Sequence, residues 1–388
     1  MNDKKSKLGL AIAITFVTTA IFVGVIAYGL AYINFNKQAD EGMGDELLTV
    51  KEVIQALYYK EVDDDTLMTG AMHGMVESLE DPYSEYYDKA EFAEFQMDQR
   101  GEYTGIGVQV TFNEELGGVV VNRIFKNTPA EAGGIQIGDV LIGADGESFM
   151  GVEYQDIIDA IRGEVGTTVE VEVLRDEETF TVPIVRQAVV ADQSYFEMLD
   201  NGLGYLELYS FTGNAFEGFN QAKDFFIENN AKGIIIDLRY NPGGDLQIVT
   251  HMLDTLLPEG DLIITRNRAG KEARLTSDAE MWDIPIVVLV NDGSASASEL
   301  FSIAIQDYQR GPIVGITTYG KGVVQTILPI KDGDTGIKIT TSEYFSPLGR
   351  SINGTGVTPD YFVEDPDLTD DLDPQMDKAI ALLTEAIQ

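Results

Sequence analysis

The chain has 388 residues, 44% of them apolar, with no cysteine, two histidines and a formal charge of -39. That length allows roughly two or three domains with real cores. The missing cysteines exclude a disulfide scaffold, a thiol nucleophile and cysteine-ligated metal, two histidines cannot build a multi-histidine cage, and the acidity disfavours nucleic acid and anionic headgroups as partners.

Lys4, Lys5 and Lys7 precede an uncharged run from Leu8 to Ile33, long enough at ~1.5 Å per residue to cross a ~30 Å hydrocarbon core. The positive-inside rule then makes residues 1–7 a cytoplasmic tail and 8–34 a transmembrane anchor, with everything beyond outside the cytoplasm. A cleaved signal peptide, whose apolar region is usually ~7–15 residues, is the rival reading. Residues 35–100 read as a helical region. Leu47, Val50, Val53, Ile54, Leu57 and Tyr58 recur at helical spacing, and a second helix over "TLMTGAMHGMVESLEDPYSEYY" is expected to end at Asp81-Pro82. His73 lies among methionines with no second ligand at metal spacing and reads as a packed helix residue. These helices pack on the body or on a second copy of themselves, so a homodimer stays open.

From 101 to 186 the period changes to two: "YTGIGVQVTF", "GGVVVNRIF", "DVLIGADG", "TTVEVEVLR" and "TFTVPIV" read as short strands, with one helix, "YQDIIDAIRG", between the third and fourth. The stretch "NTPAEAGGIQIGDVLIGADGESFMG" resembles the heart of a PDZ domain. The resemblance makes Gly105, Ile106 and Gly107 a carboxylate-binding loop and Val108 the start of a peptide-accepting strand edge. The physics agrees, because glycines leave backbone N–H groups free to form an anion nest beside such an edge. Arg162, ending the helix, is a candidate relay or peptide contact, although a solvated arginine also suits a helix C-terminus.

Residues 187–388 alternate buried strands with helices. "GLGYLELYSF", "GIIIDLR" and "PIVVLVN" are each followed by a helix, which implies a largely parallel sheet with ligand-binding loops at the strands' carboxyl ends. Two glycine-rich loops, "YNPGGD" and "DGSASAS", therefore face one cleft. Ser296 with Glu299 makes a capping box, which alone needs no catalysis. The strand-to-helix turn, the small neighbours and the following N–H also suit a nucleophile with an oxyanion donor. His251 sits beside Ile248, Met252 and Leu253 with no orienting acid, so it reads as a packed or surface residue rather than a triad member. Lys321, between Gly320 and Gly322, is either a hairpin tip or a base made neutral by desolvation.

"DLRYNPGGDL", "GSASASELFSIAIQDYQR", "TYGKGVVQT" and "TTSEYFSPLGRSINGTGVTPD", in this order after a PDZ module, resemble the carboxyl-terminal processing peptidases. The resemblance implies a multidomain mixed α/β protein whose core is like Clp protease and crotonase. It implies Ser296 as nucleophile, Lys321 as general base, Gln325 orienting the lysine, and an oxyanion hole from Ala297 with Gly243 or Gly244. It further implies extracytoplasmic cleavage of proteins near free C-termini through an acyl-enzyme, needing no metal or organic cofactor, with the PDZ domain gating the cleft. An inactive PDZ scaffold and a crotonase-type acyl-CoA enzyme are the alternatives; the second would want basic residues for CoA phosphates and a cytoplasmic address.

Overall fold

The helix Glu41–Leu57 carries the expected apolar stripe, and the helix Asp64–Glu77 follows it. The computed structural model describes residues 41–387 apart from 114–115, 126–127, 177, 191, 331–332 and 365–371. The tail 1–7 and the anchor expected over 8–34 lie outside the described residues, among which no helix is long and apolar enough to cross a membrane. The chain forms two units, divided between Met75 and Val76. In the first, Asp64 accepts from Lys51 Nζ at 3.0 Å and from Gln55 Nε2 at 2.6 Å, tying the two helices together. Their apolar side chains line an open cleft formed by Leu47, Leu48, Val50, Ile54, Leu67 and Met68. Val50 is 53% and Leu57 79% exposed, so this stripe is uncovered.

The second helix ends at Glu77, short of the expected Asp81-Pro82. Glu80 adopts φ 52°, the left-handed region that stops a helix. A turn built on Asp81 follows, its carboxylate accepting Tyr83 N–H at 3.1 Å and Ser84 Oγ at 2.6 Å.

The β-rich module is a sheet in the order Val108–Asn113, Gly118–Ile124, Val140–Ala144, Thr168–Arg175, Glu178–Val185, all antiparallel. Alternation puts Val119, Val121, Val169, Val171 and Val173 on a buried face with Ile106 and Leu141, under the helix Tyr154–Ile161. A one-turn helix, Pro129–Ala132, was not foreseen; Thr128 caps it. The chain enters and leaves the module through a two-stranded ribbon, Glu102–Gly105 with Gln187–Val190. Val108–Asn113 is an edge strand among the described residues.

The core is a six-stranded sheet, Ser194–Met198, Gly204–Leu208, Ile234–Asp237, Ile286–Val290, Ile313–Gly315, Tyr361–Phe362, parallel after the first pair. Ile234, Ile235 and Ile236 and the whole of "IVVLV" are continuously apolar because both faces are covered. Ile234, Ile236, Val288 and Val290 meet the helices Ala215–Glu228, Leu246–Leu256 and Ala297–Asp307. Ile235, Val287 and Leu289 meet the C-terminal helix Pro374–Ala386 through Ala379 and Leu383. An antiparallel sheet holds Thr335–Phe345 between Glu85–Tyr87, Val323–Ile330 and Gly260–Asn267. Glu85–Tyr87 joins residues just before the β-rich module to the core, a pairing too distant in sequence for periodicity to reveal.

Where module and core meet, Arg123 pairs with Glu207 while its guanidinium lies 3.3 Å from the centroid of Tyr209. Gln109, on the edge strand, holds the other arm of Arg123 at 2.6 Å.

Candidate active site

The two glycine-rich loops follow adjacent parallel strands, Ile234–Asp237 and Ile286–Val290, in register at Asp237 and Leu289. They therefore emerge side by side. Asn291 Oδ1 accepts Tyr240 N–H at 2.9 Å, Ser294 Oγ donates to Leu238 O at 2.7 Å, and Ser298 Oγ donates to Asn241 O at 2.8 Å. Asn241 Nδ2 anchors the first loop to Leu208 O at 2.8 Å. Ser294, Ser298, Asn241 and Asn291 are fully buried, so each hydrogen bond answers a polar group that would otherwise be costly. The outer two serines are thus stitches between loops.

Ser296 differs from both. It opens the helix Ala297–Asp307 with φ 55° and ψ -111°, outside the extended region usual for an N-cap. Such strain in a non-glycine residue at a strand-to-helix turn needs surrounding structure to hold it. Glu299 supplies part of that structure, accepting Ser296 N–H at 2.8 Å. Gly243, at φ 104°, lies so close that a Cβ there would stand 2.8 Å from Ser296 Cβ and 2.7 Å from Ala295 O. Only glycine fits.

Among the described residues, the N–H groups of Ala297 and Gly244 have no acceptor, whereas Gly243 N–H is taken by Asn241 Oδ1 at 2.9 Å. Of the two glycines expected as oxyanion donors, Gly244 is the one whose N–H is open in this state.

Glu299 does more than cap. Its fully buried carboxylate accepts Thr318 Oγ1 at 2.6 Å, Gly320 N–H at 2.7 Å and Lys321 N–H at 2.9 Å, as well as Ser296 N–H at 2.8 Å. One side chain therefore fixes the backbone of both Ser296 and Lys321. Burial pushes its pKa up, and the hydrogen bonds from Thr318, Gly320, Ser296 and Lys321 pull it back. Tyr344 adds a second link, its hydroxyl reaching the carbonyls of Lys321 and of Ser296, the latter at 3.3 Å.

Lys321 has its pKa lowered, first by burial and then by Lys338, against the opposing pull of Asp81 and Glu299. Its ammonium lies 4.7 Å from the centroid of Tyr83 and makes no hydrogen bond with Ser296 Oγ. Gln325 sits at a bulge in Val323–Ile330, where its amide donates to Thr340 Oγ1 at 3.1 Å rather than meeting Lys321. His251 is exposed and packs on Phe216, with ring centroids 5.3 Å apart.

In the β-rich module, the N–H groups of Ile106 and Gly107 have no acceptor among the described residues, while their carbonyls take Ala130 N–H at 2.8 Å and Phe125 N–H at 3.0 Å. Gly107 has φ 92°, and a Cβ there would meet Thr128 Cβ at 2.2 Å. Gly105 is held in the ribbon against Gln187, and Val108 pairs with Ile124. Arg162 is not a solitary helix-end charge. It pairs with Glu94 of the helix Lys89–Gln99, in a cleft that also contains Asp98, Asp159 and Thr104. The sequence reading missed the bridging role of Glu299, the loop anchor Asn241, and Tyr344 and Tyr83. Only Glu299 carried a local signal, a carboxylate opening the apolar run "ELFSIAI".

A strained serine, two open backbone donors and a desolvated lysine on loops at the carboxyl ends of parallel strands suit acyl transfer at a serine without a histidine. Residues 202–363 match Peptidase family S41, 94–174 match a PDZ domain, and 32–91 match the activating protease CtpB N-terminal domain. The chain is 33% identical to the carboxy-terminal processing protease CtpA of Bacillus subtilis, over 94% of this chain and 78% of that one. It is 35% identical to the carboxy-terminal-processing protease of Bartonella bacilliformis, over 81% and 74%. Among solved structures, the photosystem II D1 C-terminal processing protease matches with a TM-score of 0.55 and 29% identity, covering 82% of this chain and 86% of that one. The chain belongs to the carboxy-terminal processing proteases of peptidase family S41, and it is a serine peptidase that carries a PDZ domain.

Replacing Glu299 with Gln keeps the shape but leaves at least one of the clustered N–H and O–H donors facing an amide. We expect Glu299→Gln to lower kcat/KM on an unstructured peptide by on the order of 100-fold through loss of alignment. Stability should fall by about 1–3 kcal/mol in chemical denaturation. Unchanged kcat/KM would remove Glu299 from the site.

Proposed function

We propose that Ser296 is the nucleophile and Lys321 the general base of a peptide-bond hydrolase acting near the C-termini of extracytoplasmic proteins. The observation that carries this reading is the single buried carboxylate of Glu299 holding the backbone of both residues. Lys321, once neutral, takes the proton of Ser296 Oγ as the oxygen attacks the scissile carbonyl. The developing oxyanion is met by the N–H groups of Ala297 and Gly244, with Gly243 clearing space beside Ser296. Lys321 then returns the proton to the departing amine, and water hydrolyses the acyl-enzyme by the same route. Gln325 orients the lysine when it leaves Thr340. No step needs a metal or organic cofactor.

The PDZ domain, read as residues 101–186 beside a core over 187–388, recruits the substrate's free carboxylate at Ile106 and Gly107 by strand addition along Val108–Asn113. Gating runs through Arg123, because Gln109 on the accepting strand and Glu207 in the core hold the same guanidinium. A membrane anchor over 8–34 keeps residues 35–100 and the domains beyond on the outer side. The uncovered stripe of Leu47, Val50, Val53 and Leu57 pairs with a second copy. Retention in the membrane pellet through a high-salt wash, and a dimer mass in sedimentation that Val53→Asp converts to a monomer, are the corresponding checks. The parallel sheet with its oxyanion loop at the strand ends supports a core of the Clp protease and crotonase kind.

Ser296→Ala and Lys321→Ala should each abolish cleavage of an unstructured peptide, and His251→Ala should keep most of it. Because the base must be neutral, kcat/KM should rise with pH along one limb, its midpoint below the ordinary lysine value of about 10.4. Activity surviving in Lys321→Ala, or a flat profile with chemistry rate-limiting, would contradict the dyad. A tailed substrate with a free carboxylate should be cleaved about 10-fold faster than its amidated form, the worth of one charge-assisted contact. Gly107→Ala and Arg123→Ala should erase that difference while both proteins stay folded; equal rates with the unmodified enzyme would refute C-terminal recognition.

A further inference from the structure

No hydrogen bond joins the ammonium of Lys321 to Ser296 Oγ in this state. That ammonium lies over the Tyr83 ring, 4.7 Å from the centroid, and Gln325 is turned to Thr340. Both diversions share one anchor. Thr340 accepts the Gln325 amide on Oγ1 at 3.1 Å, and its own N–H donates to Ser84 Oγ at 3.0 Å. Ser84 Oγ in turn donates to Asp81 at 2.6 Å, and Asp81 accepts Tyr83 N–H at 3.1 Å. The four-residue turn Asp81-Pro82-Tyr83-Ser84 is thus docked on the strand Thr335–Phe345, presenting the Tyr83 ring to Lys321 while its neighbour fixes the residue that Gln325 binds.

We infer that Tyr83 is the resting seat of Lys321: its ring holds the ammonium form beside the site, and the lysine leaves that seat to reach Ser296 Oγ. The inference rests on the proposed Ser296–Lys321 dyad. A cation is attracted to the face of an aromatic ring, more strongly where water is excluded. The seat therefore favours the protonated lysine, against the burial that disfavours it. The other charged groups acting on Lys321 are Asp81 and Glu299, which favour its charge, and Lys338, which opposes it, while the Tyr344 hydroxyl meets its carbonyl. Tyr319 is a neighbour of the Tyr83 hydroxyl, so ring and hydroxyl have separable roles. Tyr83 is a positioning residue, acting through the lysine rather than on substrate.

The test compares kcat/KM against pH for a short unstructured peptide in the full chain carrying Tyr83→Phe, Tyr83→Leu or Tyr83→Met. Each profile is normalised to its own plateau, so the folded fraction does not enter, and Lys321→Ala is run beside them. Removing the ring removes stabilisation of the ammonium, so the lysine deprotonates sooner. The limb in the Leu and Met variants should move to lower pH by roughly 0.5–1.5 units. The Phe variant keeps the ring and should keep the wild-type limb, although it loses the hydroxyl. A limb that stays in place in both aliphatic variants, or moves to higher pH, overturns the seat. So does a Phe variant that shifts as far as Leu, which would assign the effect to the hydroxyl. A flat wild-type profile or an active Lys321→Ala enzyme overturns the dyad first and the seat with it, and so is distinguishable from failure of the seat alone.

Discussion

A carboxylate buried inside a protein must be repaid by several good donors, and the Glu299 side chain obtains them from the two segments that the chemistry needs together. Its donors are Ser296 N–H, Thr318 Oγ1, Gly320 N–H and Lys321 N–H. Burial alone would favour protonation, and the donors work against it. The consequence is geometric as much as energetic. Because the donors come from the helix start at 296 and from the loop at 318–321, satisfying the carboxylate fixes one segment against the other. The strained backbone of Ser296 persists because Glu299 on one side and Gly243 on the other leave it no alternative.

The sheet beneath adds a second electrostatic constraint. Glu207 and Asp237 are register partners on adjacent parallel strands, which places two carboxylates side by side where the chain turns toward the site. Like charges so placed repel unless countered. Arg239 answers Asp237 at 2.6 Å and reaches Asp373, the cap of the C-terminal helix, at 2.9 Å. Arg123 answers Glu207 from the PDZ domain. Burial raises the Glu207 pKa, and Arg123, with a smaller contribution from Arg239, opposes that rise. A displaced PDZ domain therefore leaves a half-buried acid without its ion-pair partner. The site loop thus stands on a pair of carboxylates, one answered by Arg239 two residues along the chain and the other by Arg123 from a distant segment.

What could be read in the sequence was whatever is local. Continuous apolar runs located the core strands, since Ile234, Ile235 and Ile236 and the whole of "IVVLV" are apolar on both faces, and the glycines at 243 and 244 marked a loop facing the cleft. The three serines were legible as a group, and the resemblance singled out Ser296 and left the outer two to shape the loop, but the partners of those two were not legible. Ser294 and Ser298 bond across to Leu238 and Asn241, more than fifty residues earlier, and no local pattern specifies such a partner. The same limit hid Tyr83, whose relation to Lys321 exists only because Glu85–Tyr87 pairs with Thr335–Phe345. Gln325 was expected beside Lys321, but the strand's bulge and the nearby Thr340 hydroxyl give its amide a different partner in this state. Arg162 was expected as a relay or peptide contact, or else as a solvated helix-end charge, and Glu94 on a preceding helix pairs with it here. In each case a long-range pairing decides what a short motif leaves open.

The account as a whole requires that a covalent bond form at one serine of the three. The most direct measurement is mass spectrometry of the wild-type enzyme quenched in acid during turnover of a slowly hydrolysed peptide ester, followed by peptide mapping. The account predicts an acyl adduct confined to Ser296, building up faster at higher pH as Lys321 becomes neutral. An adduct on Ser294 or Ser298, or turnover in which no acyl-enzyme forms at any pH, would contradict it.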